Sequence, residues 1–203
     1  MAEQSADRVR DSNDAVLPQA GDDHMIYVSS PLRTPPDTFR NELQEKTYEA
    51  LTALGIPFER VDTDEVITME DCARINEVLN MKMVKTLFLC SRKKTEYYLL
   101  IMDGEKPFRS KDFSSALGVS RLSFAPAEQM ETMLGTKIGA ATVFSVLLES
   151  ARDVRVVFDR DVTAEEWYGC SDGTTVGYLK IRTADILQKL LPYAKRSFTE
   201  VRL

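Results

Sequence analysis

Histidine is almost absent: His24 is the only one among 203 residues, and it lies in a leading segment with little apolar periodicity. Imidazole is the usual general base near neutral pH and the commonest metal ligand. Its absence from the remaining chain excludes Ser-His and Cys-His nucleophile pairs there, and with them histidine-based metal sites. Cysteine is scarce as well. Cys72, Cys90 and Cys170 form an odd set without a C-x-x-C pair, which argues against a disulfide framework or a cysteine-rich zinc site and for reduced thiols. No G-x-x-x-x-G-K-[ST] occurs, and no G-x-G-x-x-G follows a strand, so nucleotide-cleft readings fall away. No apolar run approaches the ~18 residues of a membrane span, and no charged-then-apolar leader opens the chain. The expectation is a cytoplasmic protein with no membrane contact, no metal and no cofactor. Its chemistry must run on Lys, Asp, Glu, Tyr, hydroxyl groups, backbone amides and water.

Charge is present but unevenly placed. Residues 1–25 carry six acids against Arg8 and Arg10, which accounts for −4 of the formal −6. The remainder is close to neutral, so overall basicity does not by itself point to nucleic acid. Those first 25 residues hold no aromatic side chain and cannot bury enough surface to offset ordering entropy, which predicts a flexible acidic tail. Pro31, Pro35 and Pro36 mark residues 26–37 as an extended Pro-rich arm. Residues 38–203 then read as a single domain.

Within that domain the patterns alternate between helical and strand-like. Thr38 is placed to cap a helix carrying Leu43, Tyr48 and Leu51 that ends at Gly55 and Pro57. Phe58–Val61 reads as a short strand, and Thr68 with Asp71 as a capping-box variant opening a helix through Ile75 and Leu79. Two apolar runs, Val84–Cys90 and Tyr97–Met102, flank the polar turn 91–95 and predict a hairpin. Helices follow at Ser110–Leu117, stopped by Gly118, and at Pro126–Leu134, stopped by Gly135. A loop of small residues spans 135–142. Val154–Phe158 is β-branched and strand-like, 169–173 is turn-rich, and Thr174–Ile181 is a further strand. A helix capped by Thr183 is expected to run to Leu191 and stop at Pro192. Strands and helices mix without a βαβ repeat, so the fold class is α+β with a mixed sheet.

Two kinds of residue invite a chemical reading. The acidic pairs Glu165-Glu166 and Asp159-Asp161 fall at a surface turn and a strand end, where solvated carboxylates are expected. Lys85 opens an otherwise apolar strand, and it is either a charged guard against strand aggregation or a pocket residue. The pocket alternative requires it to share a cavity with the small-residue loop at Gly139, Ala140, Ala141 and Thr142, whose amides a ligand can approach closely.

Residues 85–89, Lys-Thr-Leu-Phe-Leu, resemble the Lys-Asn-Leu-Phe-Leu signature of the YbaK/ProX family of prolyl-tRNA-editing proteins. Other segments follow in family order. Leu117–Ala125 is similar to the segment ending in "rlsFA", Gly139–Val143 to the GxxxP loop, Val154–Asp159 to a "V.vvlD" strand, and 183–187 to the closing helix. The likeness runs from about Tyr48 to Tyr193. It implies a mixed, partly barrel-like sheet surrounded by helices. It also implies a stand-alone trans-editing deacylase that hydrolyses the ester of a mischarged tRNA, typically alanine or cysteine on proline tRNA, with tRNA and possibly an aminoacyl-tRNA synthetase as partners.

By the same resemblance Lys85 is the key active-site residue. The loop Gly139, Ala140, Ala141 and Thr142 holds the terminal adenosine and the aminoacyl carbonyl through its amides, and a vicinal ribose hydroxyl helps water attack, so no protein nucleophile is needed. Several positions depart from the family pattern. The GxxxP proline is Val143, and an early family histidine is replaced by Thr63. The histidine of a His-Pro-x-x-Asn-Thr stretch falls at Tyr168 or, in a shifted register, Ser171, with Asp172 standing where the asparagine does. Tyr168, Ser171 and Asp172 are therefore candidate substrate-binding residues. Arg92, Lys93, Lys94, Arg121 and Lys137, together with Lys106, Arg109 and Lys111, are candidates for gripping the tRNA backbone by charge, the alternative being a solvated rim. A binding module of the same fold without catalysis, or a deacylase for a different aminoacyl ester, are the other readings.

Overall fold

The computed structural model describes residues 26–66 and 68–203; the tail expected at 1–25 lies outside the described residues. Strands β1 (Glu59–Asp62), β2 (Val84–Cys90), β3 (Tyr97–Asp103), β4 (Ser123–Phe124), β5 (Val154–Asp159), β6 (Trp167–Ser171), β7 (Gly177–Arg182) and β8 (Phe198–Val201) form two sheets. The larger has the order β4-β2-β3-β5-β8. Its β2–β3 hairpin is antiparallel, from Val84 opposite Asp103 to Cys90 opposite Tyr97, while β5 and β8 join in parallel. The smaller is antiparallel, β1-β7-β6. One bridge, Met83 to Gly169, links them. The architecture is the expected mixed α+β fold, curled between its two sheets but without a closed barrel.

The apolar run of β3 is nearly continuous because both faces are covered. Leu99 and Ile101 point into a core with Phe88, Phe144, Tyr168 and Leu179. Tyr98, Leu100 and Met102 point the other way, onto Phe113, Leu122 and Val157. A third cluster joins Val61, Ile75, Leu79 and Tyr178 under the small sheet. Each large apolar side chain so buried contributes about 1.5–3 kcal/mol relative to exposure.

The helices are α1 (Glu42–Ala53), α2 (Cys72–Leu79), α3 (Ser110–Leu117), α4 (Ala127–Leu134), the one-turn α5 (Arg160–Thr163), and a closing stretch over 183–193. Asn41, not Thr38, caps α1: its side chain accepts from the Gln44 amide at 2.8 Å, and Gln44 Oε1 in turn accepts from the Arg40 amide at 2.8 Å. This reciprocal pair out-competes the earlier threonine. The Thr68–Asp71 motif forms as expected, with the Thr68 hydroxyl donating to Asp71 Oδ2 at 2.7 Å and the Asp71 amide donating to Thr68 Oγ1 at 3.3 Å. Helices α3 and α4 end where expected, on Gly118 (φ 67°) and Gly135 (φ 68°), in the left-handed region that glycine enters without strain.

Two expectations fail near the C-terminus. The segment 169–173 is not a free loop: β6 continues to Ser171, because Gly169 packs where a Cβ would sit 2.6 Å from Met81 Sδ and 2.7 Å from Lys82 O. Thr183 is the first helical residue rather than the cap, and Pro192 rides inside the last helical turn, Leu191–Tyr193. The preceding Ile186–Leu190 is wound as a π-helix, which accommodates a residue that cannot donate its amide. At the other end, the 26–37 arm is extended along β1, with the Leu32 amide donating to Arg60 O at 2.8 Å and Arg60 Nε to Thr34 O at 2.6 Å.

Candidate active site

The cavity of interest arises from incomplete pairing of β2. Its neighbour β4 reaches only Leu89 and Cys90, so the edge at Val84–Leu87 is left open on the side away from β3. Loop 135–142, the end of β6 and the start of α2 close around that edge and enclose about 460 Å³. Lys85, Gly139, Ala141, Cys170 and Ser171 all line it, with apolar walls from Met83, Phe88, Met130 and Tyr178. Lys85 and the glycine loop therefore share one cavity.

Lys85 is half-buried, and its Nζ donates to the backbone carbonyl of Lys106 at 2.8 Å. That carbonyl belongs to the turn after β3, which tucks under the start of β2. Gly104 permits the approach, since a Cβ there would lie 2.3 Å from Met83 O. The turn is fixed from outside by the Lys106 side chain, whose Nζ donates to Asp159 at 2.7 Å and Asp161 at 2.9 Å. Burial opposes charge on Lys106, but the two carboxylates outweigh it and hold its pKa above the ordinary range; the same hydrogen bond holds Asp161 below its own. Asp159 is fully buried at the end of β5. The expectation of two solvated carboxylates is thus corrected for Asp159, which closes β5 by facing a lysine 53 residues earlier in the chain.

The 135–142 loop is pinned at its base. Thr136 Oγ1 donates to Gly173 O at 3.0 Å, and the Ala140 amide donates to Lys137 O at 3.1 Å. Gly139 takes φ 91°, a left-handed conformation suited to glycine. The amides of Gly139 and Ala141 donate to no acceptor among the described residues, so they remain available to a ligand. Thr142 is buried and its hydroxyl accepts from the Phe144 amide, opening the 3-10 turn Val143–Leu147 that stands where the GxxxP proline would.

The remaining candidates separate into three places. Ser171 lines the cavity, but its hydroxyl donates to Thr174 O at 2.6 Å and accepts from the Gly173 amide at 3.0 Å. Tyr168 is buried in the core, 6.4 Å from the Phe158 ring, and burial raises its hydroxyl pKa well above the ordinary value. Asp172 lies behind the cavity, accepting from Gln44, Tyr48 and Thr174. Ala140 and Lys137 line a second, more open cavity of about 570 Å³ on the other side of the loop, with Arg40, Glu65 and Glu131 also on its wall. Arg92, Lys93 and Lys94 are exposed on the hairpin turn at the far end of β2 from Lys85, roughly 17 Å along the strand at its usual rise. Arg121 is exposed just before β4.

The chemistry this permits is narrow. Burial pushes the Cys72 thiol up to about 11, aided by Asp71, and raises Cys170 as well, so neither cavity cysteine is a thiolate nucleophile near neutral pH. Among the described residues the cavity offers one ammonium group, unengaged backbone donors and apolar walls. No three His, Cys, Asp or Glu side chains cluster as metal ligands among the described residues, and no helix among them is long and apolar enough to cross a membrane.

An α+β shell thus surrounds a cavity that brings a strand lysine and a glycine loop together. The family model for the aminoacyl-tRNA editing domain matches residues 63–189, well over half of the chain, and the chain belongs to that family. It is 30% identical over 121 residues to the prolyl-tRNA editing protein ProX of Acetoanaerobium sticklandii, a match covering 60% of this chain and 74% of that one. It is 26% identical to the prolyl-tRNA synthetase associated domain-containing protein 1 of Danio rerio, over 73% of this chain and 82% of the relative. A crystal structure of a candidate trans-editing enzyme for prolyl-tRNA synthetase superposes with a TM-score of 0.57 at 15% identity, covering 81% of this chain and 99% of that one; this likeness bears on the fold alone.

Proposed function

We propose that the protein is a trans-editing deacylase that hydrolyses the ester of a mischarged tRNA, with alanyl or cysteinyl esters of proline tRNA as the substrates of first choice. The observation that carries the reading is the shared cavity of Lys85 and the unengaged amides of Gly139 and Ala141. Ester hydrolysis builds negative charge on the carbonyl oxygen, and a fixed donor aimed at it contributes about 3 kcal/mol. Lys85, held by the Lys106 carbonyl, supplies positive charge beside the acylated ribose. Water attacks with help from the vicinal ribose hydroxyl, since neither cavity thiol is ionised and no imidazole is at hand among the described residues. Exposed Arg92, Lys93, Lys94 and Arg121 give the tRNA backbone a salt-dependent grip.

The test is a deacylation panel of alanyl, cysteinyl, seryl and threonyl esters on proline tRNA. Lys85→Ala is expected to lower turnover of the preferred ester by orders of magnitude while leaving thermal stability close to wild type. A variant that keeps wild-type turnover removes Lys85 from the mechanism. Binding without turnover on any ester replaces the deacylase by a non-catalytic binding module of the same fold, a reading that Val143 in the proline position favours.

A further inference from the structure

Eight large apolar side chains are exposed among the described residues, and three of them, Met69 (37%), Phe124 (61%) and Ile138 (63%), stand on the rim of the Lys85 cavity. They come from three separate segments: the lead-in to α2, strand β4 and the 135–142 loop. Scattered exposed hydrophobics are ordinary, but a convergent set at a cavity mouth marks a contact surface. Phe124 is also held in place. Its backbone pairs with Leu89 in the sheet, the following Ala125 amide donates to Phe88 O at 2.9 Å, and its ring packs edge-on against Phe108 at 5.5 Å. Phe108 packs in turn on the buried Phe113. A rigid ring with most of its surface in water loses little conformational freedom on stacking.

The cations next to this rim suggest its occupant. Arg121 lies three residues before Phe124, and Lys137, immediately before Ile138, lines the neighbouring cavity across the loop; both are exposed, and neither makes an ion pair among the described residues. Aromatic platforms interleaved with free cations are how proteins hold unpaired nucleotides, bases stacking on rings while phosphates meet Lys and Arg. An apolar protein segment would use the rim but leave both cations without partners.

We infer that Met69, Phe124 and Ile138 form a stacking platform for the unpaired bases next to the acylated 3′-terminal nucleotide, with Arg121 and Lys137 on the flanking phosphates. This rests on the deacylase reading for what lies in the cavity, and adds how the single-stranded end is led to it. The platform grips any unpaired 3′ end through its bases and leaves the identity of the amino acid to the interior of the cavity.

The probe is an unacylated RNA hairpin with a short unpaired 3′ end carrying 2-aminopurine next to its last nucleotide, compared with the same hairpin made blunt. Wild type is expected to bind the tailed hairpin more tightly and to quench the 2-aminopurine. Phe124→Ala should weaken the tailed complex by about tenfold, as loss of one stacked base does, and leave the blunt complex unchanged. Phe124→Trp should restore both affinity and quenching. Equal binding of tailed and blunt RNA by wild type, or a Phe124→Ala variant that binds both as wild type does, overturns the platform. Because the RNA carries no ester, the outcome is independent of turnover. An inactive deacylation panel with an intact stacking signal keeps the platform and sinks the ester chemistry; the reverse result keeps the chemistry and sinks the platform.

Discussion

Two buried carboxylates sit at corresponding places in the two sheets, each at or just beyond a strand end, and they are satisfied in opposite ways. Asp159, closing β5 in the large sheet, meets an ammonium group, Lys106, which is itself partly exposed. Asp172, just past β6 in the small sheet, meets no cation among the described residues: Oδ2 accepts from Gln44 Nε2 at 2.8 Å and Tyr48 Oη at 3.0 Å, and Oδ1 from Thr174 Oγ1 at 2.7 Å and its amide at 3.2 Å. The first arrangement reaches the Lys85 cavity, because the lysine it holds carries the carbonyl that orients Lys85. The second ties α1 to the β6–β7 turn and so builds the wall behind Ser171. An ion pair steers Lys85; a neutral network holds the frame.

The comparison breaks most severely through Gly177. A Cβ there would fall 2.2 Å from Asp172 Oδ2, so Gly177→Ala must displace a buried carboxylate from its donors. Unfolding in denaturant should show a loss of about 3 kcal/mol or more, the range for overpacking combined with a broken buried network. On the other side, Lys106→Met leaves Asp159 buried and unpaired. Removing one partner of a fully buried pair costs about 3–5 kcal/mol; Lys106 is 23% exposed, so about 2 kcal/mol is expected. The pairing also predicts a functional signature that Gly177→Ala lacks. Once its turn is released, Lys85 loses its fixed acceptor, and deacylation should fall further than stability accounts for. Adding Asp159→Asn should recover most of the stability and little of the activity.

Much of this was legible along the chain because it is local. The β2–β3 hairpin, the glycine ends of α3 and α4 and the Thr68–Asp71 motif depend on residues within a few positions of one another, and all appear where periodicity and caps put them. The placing of Lys85 with Gly139 came from the family resemblance, and the fold brings them to one cavity through the open edge of β2. What stayed hidden is long-range. Nothing near Asp159 marks it as a partner of Lys106, and an acid ending an apolar strand looks the same solvated or paired. Segment 169–173 reads as a turn because its small residues suit one, whereas they are small so that β6 can lie against Met81 and Lys82. Phe124 and Ile138 are unremarkable apart, and become a surface only when β4 and the 135–142 loop meet at one rim.

The smallest of these effects is the one that pH resolves. Burial raises the pKa of Asp172 above its ordinary 3.8, and the hydrogen bonds from Gln44, Thr174 and Tyr48 offset this only in part. A group whose folded pKa lies above its unfolded one contributes stability that is whole below the unfolded value and is lost as pH rises through the folded value. Asp172→Asn removes that titration. Its amide nitrogen, in place of Oδ2, cannot accept from Gln44 Nε2 or Tyr48 Oη. The tyrosine hydroxyl can turn to accept instead, but Gln44 Nε2 is left unpaired at a cost of about 1 kcal/mol, which is felt most where the native carboxyl is neutral. Wild type and variant should therefore differ most near pH 4 and converge as pH climbs, in denaturant titrations across that range. A gap that widened with pH would mean that the ionised carboxylate is the favoured form, and that Asp172 resembles Asp159 in drawing on positive charge after all.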